Sequence, residues 1–191
     1  MRAQGHTVIE LLIVVAVLVI LSAIAVPNLK AYVASTRVVG TGLVFKGAFR
    51  KAHAIAVARN VETALRFEEA ADGWYISTYI DGNHNGVLSR DIEAGVDTRL
   101  SGPTPLTAGM AGVRVAINPD TPAVPPETGM LDTSDPIRFG RSNMVSFSPL
   151  GTASPGTLYL AGDGVQVAVR VTASGARVRL LAYSGGRWIE K

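Results

Sequence analysis

The chain has 191 residues, of which 48% are hydrophobic, 6% aromatic and 17% charged. That is too apolar for a disordered chain and too charged for a polytopic membrane protein; against an ordinary charged share of roughly 25%, it means the apolar surplus is concentrated in one place. Zero cysteine excludes a disulfide scaffold, a thiolate metal site and a cysteine nucleophile. The net charge of +3 hides three unlike segments: residues 1–59 hold seven cations and one acid, residues 60–135 four and twelve, and residues 136–191 seven and two, so a blanket basic label misleads.

The apolar surplus lies at the start. Residues 11–26 (LLIVVAVLVILSAIAV) carry no charge. As a helix they span about 24 Å, slightly short of the roughly 20 residues that a bilayer crossing takes. Val8 and Ile9 extend the run backward and Glu10 interrupts it. Three readings compete. A secretory signal peptide would use Arg2 as its positive start and Ala23-Ile24-Ala25 as its cleavage site, leaving a secreted β-domain. Against it stand Glu10 inside the apolar region and a helical pattern that continues past Pro27. A plain single-pass anchor is the second, but Arg2 on one flank faces Lys30 and Arg37 on the other, which favours the wrong end.

The third reading takes Gly5-His6-Thr7-Val8-Ile9-Glu10-Leu11-Leu12 as one unit, which resembles the class III signal of type IV prepilins and type II secretion pseudopilins. The resemblance implies a leader at residues 1–5, cleavage between Gly5 and His6 by a prepilin peptidase, and N-methylation of His6. The family usually has Phe where His6 stands and Lys or Arg where Gln4 stands. A buried, unpaired carboxylate costs several kcal/mol in hydrocarbon. The resemblance supplies a partner: Glu10 pairs with the new N-terminal amine of a neighbouring subunit and sets the axial register of assembly. Thr7-x-x-Glu10 is also a capping box, whose side chains satisfy the first helical amides. Pro27 removes a backbone donor and clashes with the preceding turn, so a kink is expected there, as is common in pilins.

Residues 28–59 turn amphipathic, with Phe45, Ala48, Phe49, Ala52, Ile55 and Ala56 at helical spacing and a basic, acid-free polar side. That side fits a solvated face, or contact with lipid headgroups or an acidic partner. Gly40 and Gly42 weaken the helix and mark a bend. From residue 60 the apolar period becomes two, over residues 61–67, 74–80, 113–117, 144–148, 157–160, 165–172 and 177–183, with turn signals between. The fold class is therefore α+β, a long N-terminal helix packed on an antiparallel β-sheet head. Its order resembles the GspH/FimT branch of the pilin superfamily in Asp81-Gly82-Asn83-His84-Asn85-Gly86, in Phe147-Ser148-Pro149-Leu150-Gly151 leading to Gly156-Thr157-Leu158, and in Gly175-Ala176-Arg177-Val178-Arg179. The domains expected are a leader (residues 1–5), a transmembrane and assembly helix (6–27), an amphipathic second half (28–59) and a periplasmic head (60–191). The proline-rich residues 118–129 look like an insertion free to vary.

Two candidate sites remain. Asp81-x-Asn83-x-Asn85-Gly86 alternates oxygen side chains before a glycine, as calcium loops do, with Asp91 and Glu93 in reach. Ile92 takes the place of the twelfth-position Glu, and a hydrogen-bonded Asx turn accounts for the same residues. Arg170, Arg177, Arg179, Arg187 and Lys191, with Tyr183 and Trp188, form a basic and aromatic set that could hold DNA phosphates and bases. FimT-like minor pilins carry a similar Gly-Arg-x-Arg element, here with one inserted residue, and the alternative is a solvated strand face. For catalysis, His6, His53 and His84 are scattered and no nucleophile, zinc or phosphate-loop motif occurs. The expectation is a minor pseudopilin or pilin and not an enzyme. Its partners would be other pilins, the prepilin peptidase, an inner-membrane assembly platform and, in the rival reading, DNA. Its place would be the inner membrane with a periplasmic head.

Overall fold

The computed structural model describes residues 8–191, the side chains of residues 27 and 28 excepted; Gly5, His6, the leader and Thr7 lie outside the described residues. Helix α1 (Val8–Arg59) is 52 residues long and continues through position 27. Ten strands follow, with one short helix among them. They are β1 (Thr63–Ala70), β2 (Gly73–Ile80), α2 (Ser89–Glu93), β3 (Thr98–Pro105), β4 (Arg114–Val115), β5 (Ile137–Arg138), β6 (Met144–Phe147), β7 (Gly156–Gly162), β8 (Val165–Val171), β9 (Val178–Ser184) and β10 (Arg187–Glu190). The head is antiparallel, as the period-two pattern requires, but it is two sheets where the pattern suggested one. The first runs β3-β2-β1-β6; the second runs β10-β9-β8-β7-β4, with β5 also on β7.

One core joins helix and both sheets. Val38, Phe45, Phe49, Ala52 and Ala56 of α1 meet Leu65 and Phe67 of the first sheet and Leu158, Leu160, Val167, Val169 and Leu180 of the second. The Phe49 ring stands edge-on to Phe67 and Phe139, with centroids 6.2 and 5.8 Å away, and those two rings stack at 5.6 Å. Such edge and stacked pairs add about 0.5–1.5 kcal/mol each beyond the area they bury. The His53 ring lies against Phe147 at 5.8 Å, so this histidine is a packing residue.

Gly42 has a packing role. A Cβ there would sit 2.5 Å from Leu180 Cδ1 and 3.0 Å from Val167 Cγ1, so the glycine lets α1 lie close against the second sheet. The expectation that residues 118–129 vary freely is corrected. Ala123, Val124 and Leu131 pack with Ile117 on Tyr159, Ala168 and Leu181, the outward side chains of the second sheet. The segment is tied down along its length. Gln166 Oε1 accepts from Asn118 N (2.7 Å), Gln166 Nε2 donates to the Ala116 and Leu160 carbonyls, and Trp188 Nε1 donates to Pro122 O (3.1 Å). This strap covers what would be the solvent face, so β7 to β9 are buried on both sides and read as nearly unbroken apolar runs.

Candidate functional site

The largest apolar feature of the surface is the first half of α1. From Val8 to Val26 every side chain is exposed, and no residue of its most apolar window is buried by the head. It is the one helix among the described residues long and apolar enough to cross a membrane. Its backbone is closed by its own helical hydrogen bonds, and the Ser22 hydroxyl donates to Leu18 O at 2.7 Å, which leaves no stray hydroxyl donor there. Glu10 stands in the first helical turn, where a carboxylate is favoured by the helix dipole. The apolar half is therefore a rod with one acidic group in the first described turn, continuous with the half of the helix that forms part of the head's core.

The loop between β2 and β3 is built around two carboxylates. Asp81 is buried; its Oδ1 accepts from the backbone N–H of Asn83 (3.0 Å) and His84 (2.8 Å), and its Oδ2 from Gly86 (2.8 Å). Asp97, also buried, accepts from Gly82 N through Oδ1 and from Leu88 N through Oδ2. The side-chain amides of Asn85 and Asn83 both donate to Asp91 Oδ2, at 2.9 and 3.4 Å. These bonds, Asn85 foremost and then Asn83 and neighbouring Arg90, hold the Asp91 carboxyl below the usual carboxylate range. These hydrogen bonds gather Asp81, Asn83, Asn85 and Asp91 into one loop, in the arrangement of Asx turns. Asp97 was missed, because nothing in its spacing marks it as the second cap.

The C-terminal basic set is dispersed and answered by acids. Arg179 donates from Nε and Nη2 to Glu190 Oε2 at 2.9 and 2.7 Å, and Arg177 Nη2 lies 3.8 Å from Glu190 Oε1. The Arg179 guanidinium, with Arg177 and Lys46 nearby, holds the Glu190 carboxyl low, and Glu190 in turn raises Arg179. Arg170 turns into the strap, donating to Val124 O and to Glu127 Oε1 (2.7 Å). Lys46 of α1 donates to the Lys191 carbonyl at 3.3 Å. Arg177 and Arg179 do share a face, as alternation predicts. What the motif reading missed was Glu190, whose place opposite Leu181 on β9 is legible only once β10 is recognised as a strand. Trp188 and Tyr183 lie 5.4 Å apart between centroids, but the indole is committed to the strap.

A groove of about 470 Å³ opens where β2 and β3 splay from α1, lined by Ala48, Lys51, Ile55, Leu65, Ile76 and Leu100. Lys51 is the one titratable group among the residues that line it.

With this geometry in place, comparison with known proteins gives one family. The model of the family described as type II transport protein GspH matches residues 44–175, from the core-facing half of the helix to the turn before β9. Neither the curated proteins nor the solved structures contain a match to the chain.

Proposed function

The chain belongs to the type II transport protein GspH family, and from that premise we propose that it is a minor pseudopilin, a structural subunit anchored in the inner membrane and assembled through the first half of α1 into the periplasmic pseudopilus of a type II secretion machine. The observation that carries this reading is the wholly exposed apolar rod of residues 8–26, continuous with the helix at the centre of the head's core. A face of that size is soluble only against lipid or other apolar helices. In the membrane the rod is solvated by acyl chains; in the filament neighbouring helices replace them, and close packing, not a hydrophobic gain, favours the exchange. Cleavage after Gly5 would create an α-amine, largely protonated near neutral pH with a reference pKa of about 7.7–8.0, for Glu10 of the adjoining subunit to meet. Pro27 would end the tightly packed part of the rod.

The partners of this reading are other pseudopilins, the prepilin peptidase and the assembly platform. Sequencing the processed chain from its N-terminus tests it: the first residue is expected to be His6, methylated at its amine, and a start near Val26 would mean an ordinary signal peptide. Co-assembly supplies the second measurement. Glu10→Gln, which a capping box tolerates, is expected to leave the chain inserted and processed but to abolish its incorporation with other pseudopilins.

The DNA-capturing alternative draws less support, because Glu190 engages both Arg177 and Arg179 and only Arg187 and Lys191 of the C-terminal set remain outside an ion pair among the described residues. Titration of labelled DNA at low salt decides it, since phosphate contacts strengthen steeply as salt falls.

A further inference from the structure

The two charges that bracket the apolar rod are spaced for a bilayer. From residue 11 to residue 29 the chain has no Asp, Glu, Lys or Arg, with Glu10 at one end of the stretch and Lys30 at the other. At about 1.5 Å per residue they stand roughly 30 Å apart along α1, the thickness of a hydrocarbon core. Depth is thereby set from both ends at once. With Lys30 among the headgroups on the head's side, Glu10 reaches the headgroups of the opposite side; a shift by one turn in either direction drives one of the two charges into hydrocarbon, where it is costly.

The turns that follow have the make-up of an interface. Leu29 and Tyr32 are 63 and 70% exposed, and Ala34 is the first buried residue of α1 among those described. A tyrosine at that level offers its ring to the acyl boundary and its hydroxyl to water. Lys30 and Arg37 are seven residues apart, about two helical turns, so they share one side of α1 while Tyr32 falls on the other. Neither cation is in an ion pair among the described residues. Arg37 stands about 10 Å beyond Lys30 along the axis, near one Debye length of about 8 Å, and its long side chain shortens the gap. The head adds little charge at this level. A Cβ at Gly162 would meet Val38 Cγ2 at 2.9 Å and the Gly112 carbonyl, and one at Gly112 would stand 3.9 Å from Asp163 Oδ2, so level with Val38 the head carries Asp163 as well as Arg114. The two cations that count against a plain anchor by the charge rule are thus placed where headgroups lie.

We propose that Leu29, Lys30, Tyr32 and Arg37 form a collar that binds anionic lipid headgroups on the head's side of the membrane and holds the chain at one depth, with Glu10 at the opposite headgroup level. The proposal rests on the membrane stage of the pseudopilin reading and adds to it a lipid class and a depth. Withdrawal of the rod into a filament must first break these headgroup contacts, so the collar defines the state from which assembly starts.

Because the chain has no cysteine, single Leu11→Cys, Ile20→Cys and Ala31→Cys variants each carry one fluorescent dye at a known place. The full-length labelled chains are placed in vesicles of phosphatidylcholine mixed with phosphatidylglycerol. One lipid at a time bears a spin-label quencher, near the headgroup or at the chain end. The dyes at residues 11 and 31 are expected to be quenched best from the headgroup level and the dye at 20 from the bilayer centre. At residue 31, labelled phosphatidylglycerol is expected to quench at least about twice as well as labelled phosphatidylcholine at the same fraction, and the preference to fade as salt rises. Lys30→Gln with Arg37→Gln, both at exposed positions, is expected to abolish the preference, and Tyr32→Ala to let the dye at 31 move in depth. Equal quenching by the two lipids, a preference that survives loss of both cations, or a dye at 31 as deep as that at 20 each overturns the proposal. So does a dye at 31 that responds to an added Glu-rich helix and not to anionic lipid, which would assign the cations to a protein partner. Failure here with the dye at 20 at the bilayer centre and processing at His6 removes the collar and leaves the pseudopilin reading standing; a mature chain that starts near Val26 removes the pseudopilin reading itself.

Discussion

Between Val8 and Val26 every side chain of α1 points outward and only Glu10 and Ser22 are polar; between Ala34 and Ala56, at every third or fourth position, one is buried against two sheets. The backbone is the same helix throughout. What differs is the solvent each half is written for: the first half lacks any side that prefers water, the second has one apolar side that needs a head to cover it. The comparison separates stability from the proposed assembly, because the second half is part of the head's core while the first half touches none of it.

The largest break in that symmetry comes from equal surgery on the two halves. Phe49→Ala empties the centre of the aromatic cluster and is expected to lower head stability by about 3–5 kcal/mol, read as a shifted denaturant midpoint of the full chain in detergent. Leu18→Ala is expected to change that midpoint by less than about 0.5 kcal/mol while weakening co-assembly. Equal effects on the midpoint would mean that the apolar rod also packs on the head.

How much of this the sequence disclosed follows from the range of the signals. The rod, the amphipathic half and the central strands are local patterns of period 3.6 or 2, so residues 74–80, 144–148 and 165–172 fall where strands β2, β6 and β8 are found. β3 was hidden because Gly102, Pro103 and Pro105 read as a loop, although they sit on a sheet edge where proline removes no ladder bond. β10 was hidden by its shortness. The division into two sheets depends on which strands pair, and the strap depends on Gln166 reaching Asn118 across the sheet; neither leaves a periodic trace. The Asx loop was legible as a cluster because its residues are near in sequence, whereas its second cap, Asp97, was not.

The strap offers the next test, since it covers the head on the side away from α1. Gln166 is 1% exposed and satisfies one backbone amide and two carbonyls. Gln166→Leu keeps the volume and strands those groups, with an expected loss of about 2–3 kcal/mol, accompanied by faster amide exchange at Asn118. Exchange unchanged there would mean that the strap is held by its apolar contacts alone. Smaller again is the contrast between two glycines of one helix. Gly42→Ala forces Leu180 to move and is expected to cost about 1–2 kcal/mol, whereas Gly47→Ala, in open space, is expected to stabilise the head by up to about 1 kcal/mol. A destabilising Gly47→Ala in the isolated chain would show that the outward face has an internal partner.

The smallest effect probes where the second half of α1 meets the end of the chain. The Arg179 guanidinium, with Arg177 and Lys46 near, holds Glu190 below the ordinary carboxylate range. A carboxyl whose folded pKa is depressed stabilises the fold fully above its unfolded value of about 4.3 and loses that contribution as pH falls through the lower folded value. Asp91 and Asp132 are lowered as well, by Asn85 and by Ser134, so the parent's melting midpoint falls in acid for several reasons at once. Subtracting Glu190→Gln from the parent isolates this pair: a small deficit in the variant's midpoint at neutral pH that closes as the pH drops below about 4. Because the pair is exposed, about 0.5 M salt is expected to close most of the same gap at neutral pH. A deficit that persists in acid would show that Glu190 acts through the β9–β10 ladder and not through its charge, and the C-terminal arginines would then be open to an anionic partner.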